Sequence, residues 1–138
     1  MPPPGLMQPF VRSLYVRPLV VIPELRFLEG TDGRRESPAD PENCSVYLCA
    51  GIGPKGARGE ELFEFQVRTP DRLESLGKVP NWSRGLLLIE SFSWSGVETQ
   101  LKALLDQCRG QSWIEVAGLI GRYLKSEYEG YTRDQDAA

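Results

Sequence analysis

Cys44-Ser45-Val46-Tyr47-Leu48-Cys49-Ala50-Gly51-Ile52, followed by Leu62-Phe63-Glu64-Phe65-Gln66-Val67-Arg68-Thr69, decides how this chain is read. In the first stretch Ser45, Tyr47, Cys49 and Gly51 fall on one side, and Val46, Leu48, Ala50 and Ile52 on the other. In the second, Phe63, Phe65 and Val67 alternate against Glu64, Gln66 and Arg68. A period of two is the signature of an extended strand with one face in a core. Between them lies Gly53-Pro54-Lys55-Gly56-Ala57-Arg58-Gly59, whose residues tolerate turn geometry. The pair reads as an antiparallel hairpin, 44–52 with 62–69.

Working outward, Thr69-Pro70-Asp71-Arg72-Leu73 stops the second strand, and a short turn or helical piece runs to Gly77. Leu86–Ile89 is a continuous apolar run bounded by Gly85 and Glu90, which suits a strand over 85–90. Two helices follow. Ser95-Gly96-Val97-Glu98 matches a capping box, and behind it Val97, Leu101, Leu104, Leu105 and Cys108 recur at helical spacing, predicting a helix over 95–109. Ser112-Trp113-Ile114-Glu115 is a second capping box, with Trp113, Val116, Ala117, Ile120 and Leu124 behind it, predicting a helix over 112–125. With so short a link the helices should form an antiparallel or steeply crossed pair.

Residues 1–43 are dense in proline, which breaks helices and forbids central strands. Short extended pieces are expected at Arg12–Arg17 and Leu25–Glu29, and Gly30–Pro41 reads as an exposed polar loop. Strands first and helices second indicate an α+β fold, an antiparallel sheet of about four strands with both helices on one face. The 138 residues are expected to form a single domain, with 1–9 and 132–138 as flexible tails.

Composition removes several function classes. There is no histidine, so the commonest general base, the Ser-His-Asp arrangement and the commonest zinc ligand are missing together. Three cysteines make an odd set, which favours reduced thiols in a cytoplasm over a disulfide framework. A net charge of −3 opposes tracking of nucleic-acid phosphates, and no apolar run is long enough for a membrane helix. The opening Met1-Pro2-Pro3-Pro4-Gly5 lacks the features of a secretory signal. The expectation is a cytoplasmic protein that is not an enzyme, with no catalytic residues, no cofactor and no metal.

Several pieces stand in a telling order: Ile52-Gly53-Pro54-Lys55-Gly56, Phe63-Glu64-Phe65-Gln66-Val67-Arg68-Thr69-Pro70-Asp71-Arg72-Leu73, and Leu87-Leu88-Ile89-Glu90-Ser91-Phe92-Ser93-Trp94. The Ser112-Trp113 helix start and Arg122-Tyr123, running into Glu127-Tyr128-Glu129-Gly130-Tyr131, complete the set. Together they resemble the immunity protein 8 family of bacterial polymorphic toxin systems. The resemblance, from Val46 to Tyr131, implies an α+β protein encoded beside a toxin gene that protects the producing cell. The family's aromatic-Glu-aromatic ending, normally Trp-Glu-Phe, reads Ser126-Glu127-Tyr128 here, and Ser93 stands where the family tends to have Asp.

The candidate partner-binding residues are Glu127, Tyr128, Glu129 and Tyr131 in the tail, with Trp82 and Trp94. Tyrosine joins apolar area to a hydrogen-bonding tip, and carboxylates suit a basic partner. The plainer alternative has the two tyrosines folded onto the core and the glutamates merely solvated. Trp94 is weighed between a helix-entry anchor and an exposed hot spot, with the anchor preferred; Trp82 is balanced between a cap over the sheet and a contact residue. Trp113 reads as core. The Gly53–Gly59 loop lacks the ending of a phosphate cradle, Cys44 and Cys49 differ in strand face, and Glu60, Glu61 and Glu64 read as a solvated hairpin end. The resulting function is an immunity protein bound to a cognate protein toxin. The alternative is a general interaction or homo-oligomerisation module, which leaves a homodimer open, and a carboxylate- or Tyr131-based enzyme ranks last.

Overall fold

The computed structural model describes residues 20–70 and 79–127. Along the chain run β1 (Pro23–Gly30), β2 (Ser45–Pro54), β3 (Glu61–Arg68), β4 (Asn81–Ser83), β5 (Leu86–Leu88), α1 (Trp94–Leu105), α2 (Trp113–Ile120) and β6 (Lys125–Ser126). The hairpin read from the alternation is β2 with β3, paired antiparallel without a break from Ser45↔Arg68 to Ile52↔Glu61. Its apolar face is buried: Leu48, Ala50, Ile52, Phe63, Phe65 and Val67 all lie in the core. The opposite face carries exposed Ser45, Tyr47 and Glu64.

The extended piece expected at Leu25–Glu29 is β1, which pairs antiparallel with the other side of β2. Its register shifts between Leu25 and Phe27, and the intervening Arg26 reaches across the hairpin end. There Nη2 of Arg26 donates to the carbonyls of Pro54 at 2.7 Å and Ala57 at 2.8 Å. A bulge of this kind re-aims one side chain while the strand stays paired. Beyond β1 the polar loop expected over Gly30–Pro41 is present and largely exposed.

The α+β class stands, but the sheet is mixed and has six strands. The strand order is β1-β2-β3-β5-β4, with β6 also on β3, and β5 runs parallel to β3 from Gln66↔Leu86 to Arg68↔Leu88. The cause is a small hairpin set beside β3. β4 runs antiparallel to β5 and turns at Arg84-Gly85, where Gly85 has φ +74, so β5 ascends between β4 and β3. The ladder is closed by N–H bonds from Gln66 to Gly85 (2.8 Å) and from Ile89 to Arg68 (3.1 Å). A strand-then-helix order does not reveal such a return, because the parallel pairing depends on a connection of a dozen or more residues. The strand expected over 85–90 is accordingly only Leu86–Leu88.

Both helices are shorter than their apolar stripes. α1 buries Val97, Leu101, Leu104 and Leu105, then ends at Asp106; Cys108 is buried from the turn beyond, its amide bonded to the Leu105 carbonyl at 2.9 Å. α2 stops at Gly121, and Leu124 is buried from outside it. Gly118 and Gly121 weaken helix propagation there, and the Tyr123 carbonyl accepts from the Gly85 amide at 2.6 Å, drawing the chain toward β6. A buried residue at helical spacing therefore need not be helical.

The α1 cap differs from the expected one. Ser93, in extended geometry, accepts from the Gly96 amide through its hydroxyl at 3.0 Å, so the helix starts two residues earlier than a Ser95 cap would allow. Glu98 pairs instead with Arg35 at 3.3 Å. The Ser112 cap is as read: its hydroxyl accepts from the Glu115 amide, and the Glu115 carboxylate accepts from the neighbouring Gln111 amide. The expected result is that Ser93→Ala lowers stability by about 1 kcal/mol while Ser95→Ala changes it by less than about 0.5. Urea midpoints measured side by side check this; equal losses would place the cap elsewhere.

The helices bring their buried stripes onto the inner face of the sheet, forming one core with Leu28, Leu87, Ile89 and Phe92. Trp113 was expected within that core and is half-buried at its margin. Its indole N–H donates to a Glu61 oxygen at 3.2 Å, while the other Glu61 oxygen accepts from the Ser126 hydroxyl. Glu61 is thus not a solvated hairpin end: one carboxylate ties β3, α2 and β6 together.

Candidate partner-binding surface

Trp94 begins α1 and is half-buried. Its ring meets Phe92 edge-on at 5.3 Å, and the Arg35 guanidinium lies 4.6 Å from its centroid, a cation–π contact. This is the helix-entry anchor of the sequence reading, with one side facing a cavity of about 400 Å³. Thr31, Asp32, Arg34, Glu36 and Tyr47 are among the residues lining that cavity. Trp82 stands on the helix-covered face of the sheet, tilted against Phe65 with centroids 5.4 Å apart, so it caps the sheet. Neither indole N–H has a hydrogen-bond partner, an unusual state for a buried donor.

Glu127 is exposed just after β6, held by its amide to the Leu62 carbonyl at 3.0 Å. Tyr128, Glu129 and Tyr131 lie outside the described residues, as do Arg12–Arg17 and the expected turn running to Gly77. Trp82, Trp94 and Glu127 belong to three different elements and do not form one cluster.

Sequence reasoning missed the open face of the sheet. Cys49 sits there with Glu29 directly across on β1 and Glu64 directly across on β3. Burial pushes its thiol up, and the carboxylates of Glu64, Glu29 and Glu127 push it further. Tyr47, on the same face, is 61% exposed. The alternation over 44–52 marked Tyr47 and Cys49 as sharing a face, but the matching residues of β1 depend on a bulge that no periodicity reveals.

The other two thiols are raised as well. Burial raises Cys44, with Asp40 adding to it; burial raises Cys108, with Arg122 opposing. Thiols held up in this way stay protonated near neutrality and are poor nucleophiles and poor metal ligands. Among the described residues no three His, Cys, Asp or Glu side chains gather as metal ligands would, and no helix is long and apolar enough to cross a membrane. What the arrangement offers is shape and charge on two exposed regions, the open sheet face and the cavity beside Trp94.

Comparison with curated proteins and with solved structures returns no match. The model of the family described as immunity protein 8 matches residues 24–131, from the second residue of β1 past the end of β6. That span takes in every described strand and helix, and with it the chain belongs to the immunity protein 8 family.

Proposed function

We propose that this protein neutralises a cognate toxin of a bacterial polymorphic toxin system by direct, non-catalytic binding in the cytoplasm. The observation that carries the reading is membership of the immunity protein family across residues 24–131. The chain's chemistry supports binding over turnover: it has no histidine, and its three thiols are held in the protonated state. Such a protein acts by covering a surface, and toxin-inhibitor pairs of this kind reach very high affinity from a few desolvated anchors with complementary charge.

The test is co-expression with the toxin domain encoded by each gene adjacent to this one. Growth should be restored with one of them, and the purified pair should elute together. No rescue with any neighbour would overturn the reading.

A further inference from the structure

Among the described residues the helices cover one face of the sheet and nothing covers the other, and the strand register sets what stands on it. One row runs Phe27, Gly51, Leu62. The next runs Glu29, Cys49, Glu64 and on to Lys125. The third runs Tyr47, Gln66, Leu86. Phe27, Leu62 and Leu86 are half-buried, and Tyr47 is the most exposed aromatic among the described residues. Phe27 lies flat over Gly51; a Cβ there would come within 2.1 Å of its ring, so only glycine leaves space for it. The result is an apolar floor with an upright tyrosine, crossed by a carboxylate row.

A fourth row, Ser45, Arg68, Leu88, stands on the same face, so its charge is three carboxylates, Glu29, Glu64 and Glu127, against the two cations Lys125 and Arg68. Glu29, Glu64 and Glu127 all act on Cys49, and none of them makes an ion pair among the described residues. Lys125 stands next to Glu64 in the register, but its stem folds onto Gly85, with Cε 3.2 Å from where a Cβ would be. Unpaired carboxylates around an exposed aromatic complement a surface bearing Lys or Arg, since opposite charges steer encounter and like charges reject wrong partners. A second copy of this chain is disfavoured on the same ground. A two-fold pair through this face would bring together two surfaces that each carry an excess of carboxylates.

We propose that the open sheet face, centred on Tyr47 and the Glu29–Cys49–Glu64 row, docks a Lys- and Arg-bearing surface of the toxin. This rests on the immunity reading above and adds the face and the partner's chemistry. Tyr47 is the anchor, and the carboxylates set orientation and rate of encounter.

The experiment compares the wild type, Glu29→Lys/Glu64→Lys, Glu29→Gln/Glu64→Gln and Tyr47→Ala, with Glu42→Lys/Glu90→Lys as an equal charge change on exposed positions elsewhere. Affinity for the toxin domain from the adjacent gene is read by calorimetry, after circular dichroism shows each variant folded. The charge reversal should weaken binding by at least about a hundredfold, the glutamine pair and Tyr47→Ala by about tenfold or more, and the control by less than about threefold. A wild type that protects cells while the open-face variants protect and bind equally well overturns the docking face and leaves the immunity reading intact.

A wild type that protects against no neighbour overturns the immunity reading, and a second measurement then decides the face. Amide chemical shifts are followed while a deca-arginine peptide is added at low salt. Perturbations centred on Glu29, Tyr47, Cys49 and Glu64, and lost in the charge reversal, support a basic-partner face. Perturbations elsewhere, or none, overturn it, as does a wild-type dimer in sedimentation that Tyr47→Ala dissociates.

Discussion

Phe63→Ala is expected to lower the free energy of unfolding by about 3–5 kcal/mol, the range for truncating a large aromatic in a packed core. Phe63 lies on the inner face of β3, opposite Ala50 on β2 and Ser126 on β6, and it is fully buried. Ala50, directly opposite, is too small to fill the space left behind. The loss therefore contains both the transfer of the ring out of an apolar site and an uncollapsed cavity. Urea unfolding should show a lower midpoint with an unchanged slope, since the surface exposed on unfolding barely alters. A loss under about 1.5 kcal/mol would mean that the sheet and helices close around the gap, and that the core is less closely packed than the buried residues indicate.

The second prediction separates packing from hydrogen bonding at one residue. Trp113→Ala should cost about 3 kcal/mol, and Trp113→Phe about 1. The indole is half-buried at the core margin, so alanine removes apolar contact with the core and takes the donor from Glu61. Phenylalanine keeps most of the ring and loses only the N–H. Glu61 then retains the Ser126 hydroxyl as a donor, so its carboxylate is not stranded. Thermal unfolding of both variants checks the ordering. Equal losses would show that the N–H bond, and not the ring, holds α2 to β3; a negligible loss for alanine would detach Trp113 from the fold altogether.

Local alternation carried a good part of this structure. The two faces of β2 and β3, the stripe Val97-Leu101-Leu104-Leu105 and the Ser112 cap were all legible, because each depends on residues within a few positions of one another. The α1 start was misplaced for a matching reason. Ser93 and Ser95 both precede a helical run; Ser93 takes the Gly96 amide, and Glu98, which a Ser95 capping box would use, pairs with Arg35 from a loop far away in sequence. Of the candidate site residues, Trp94, read first as a helix-entry anchor, packs on Phe92 at the start of α1, and Trp82, evenly balanced between cap and contact, packs on Phe65. Tyr47 and Cys49 were passed over because the residues beside them stand on other strands.

By itself, then, the sequence determined the α+β class, the central hairpin, the presence and order of two helices and, through its ordered motifs, the family. These follow from short-range periodicity and capping, whose physics is complete within one element. The tertiary structure alone decided that β5 enters parallel beside β3, that Glu61 joins β3, α2 and β6, and that Glu29 and Glu64 flank Cys49 on an open face. Each of those depends on strand register. Register is a property of pairs of segments, set by how the whole core closes, and no single stretch of chain contains it.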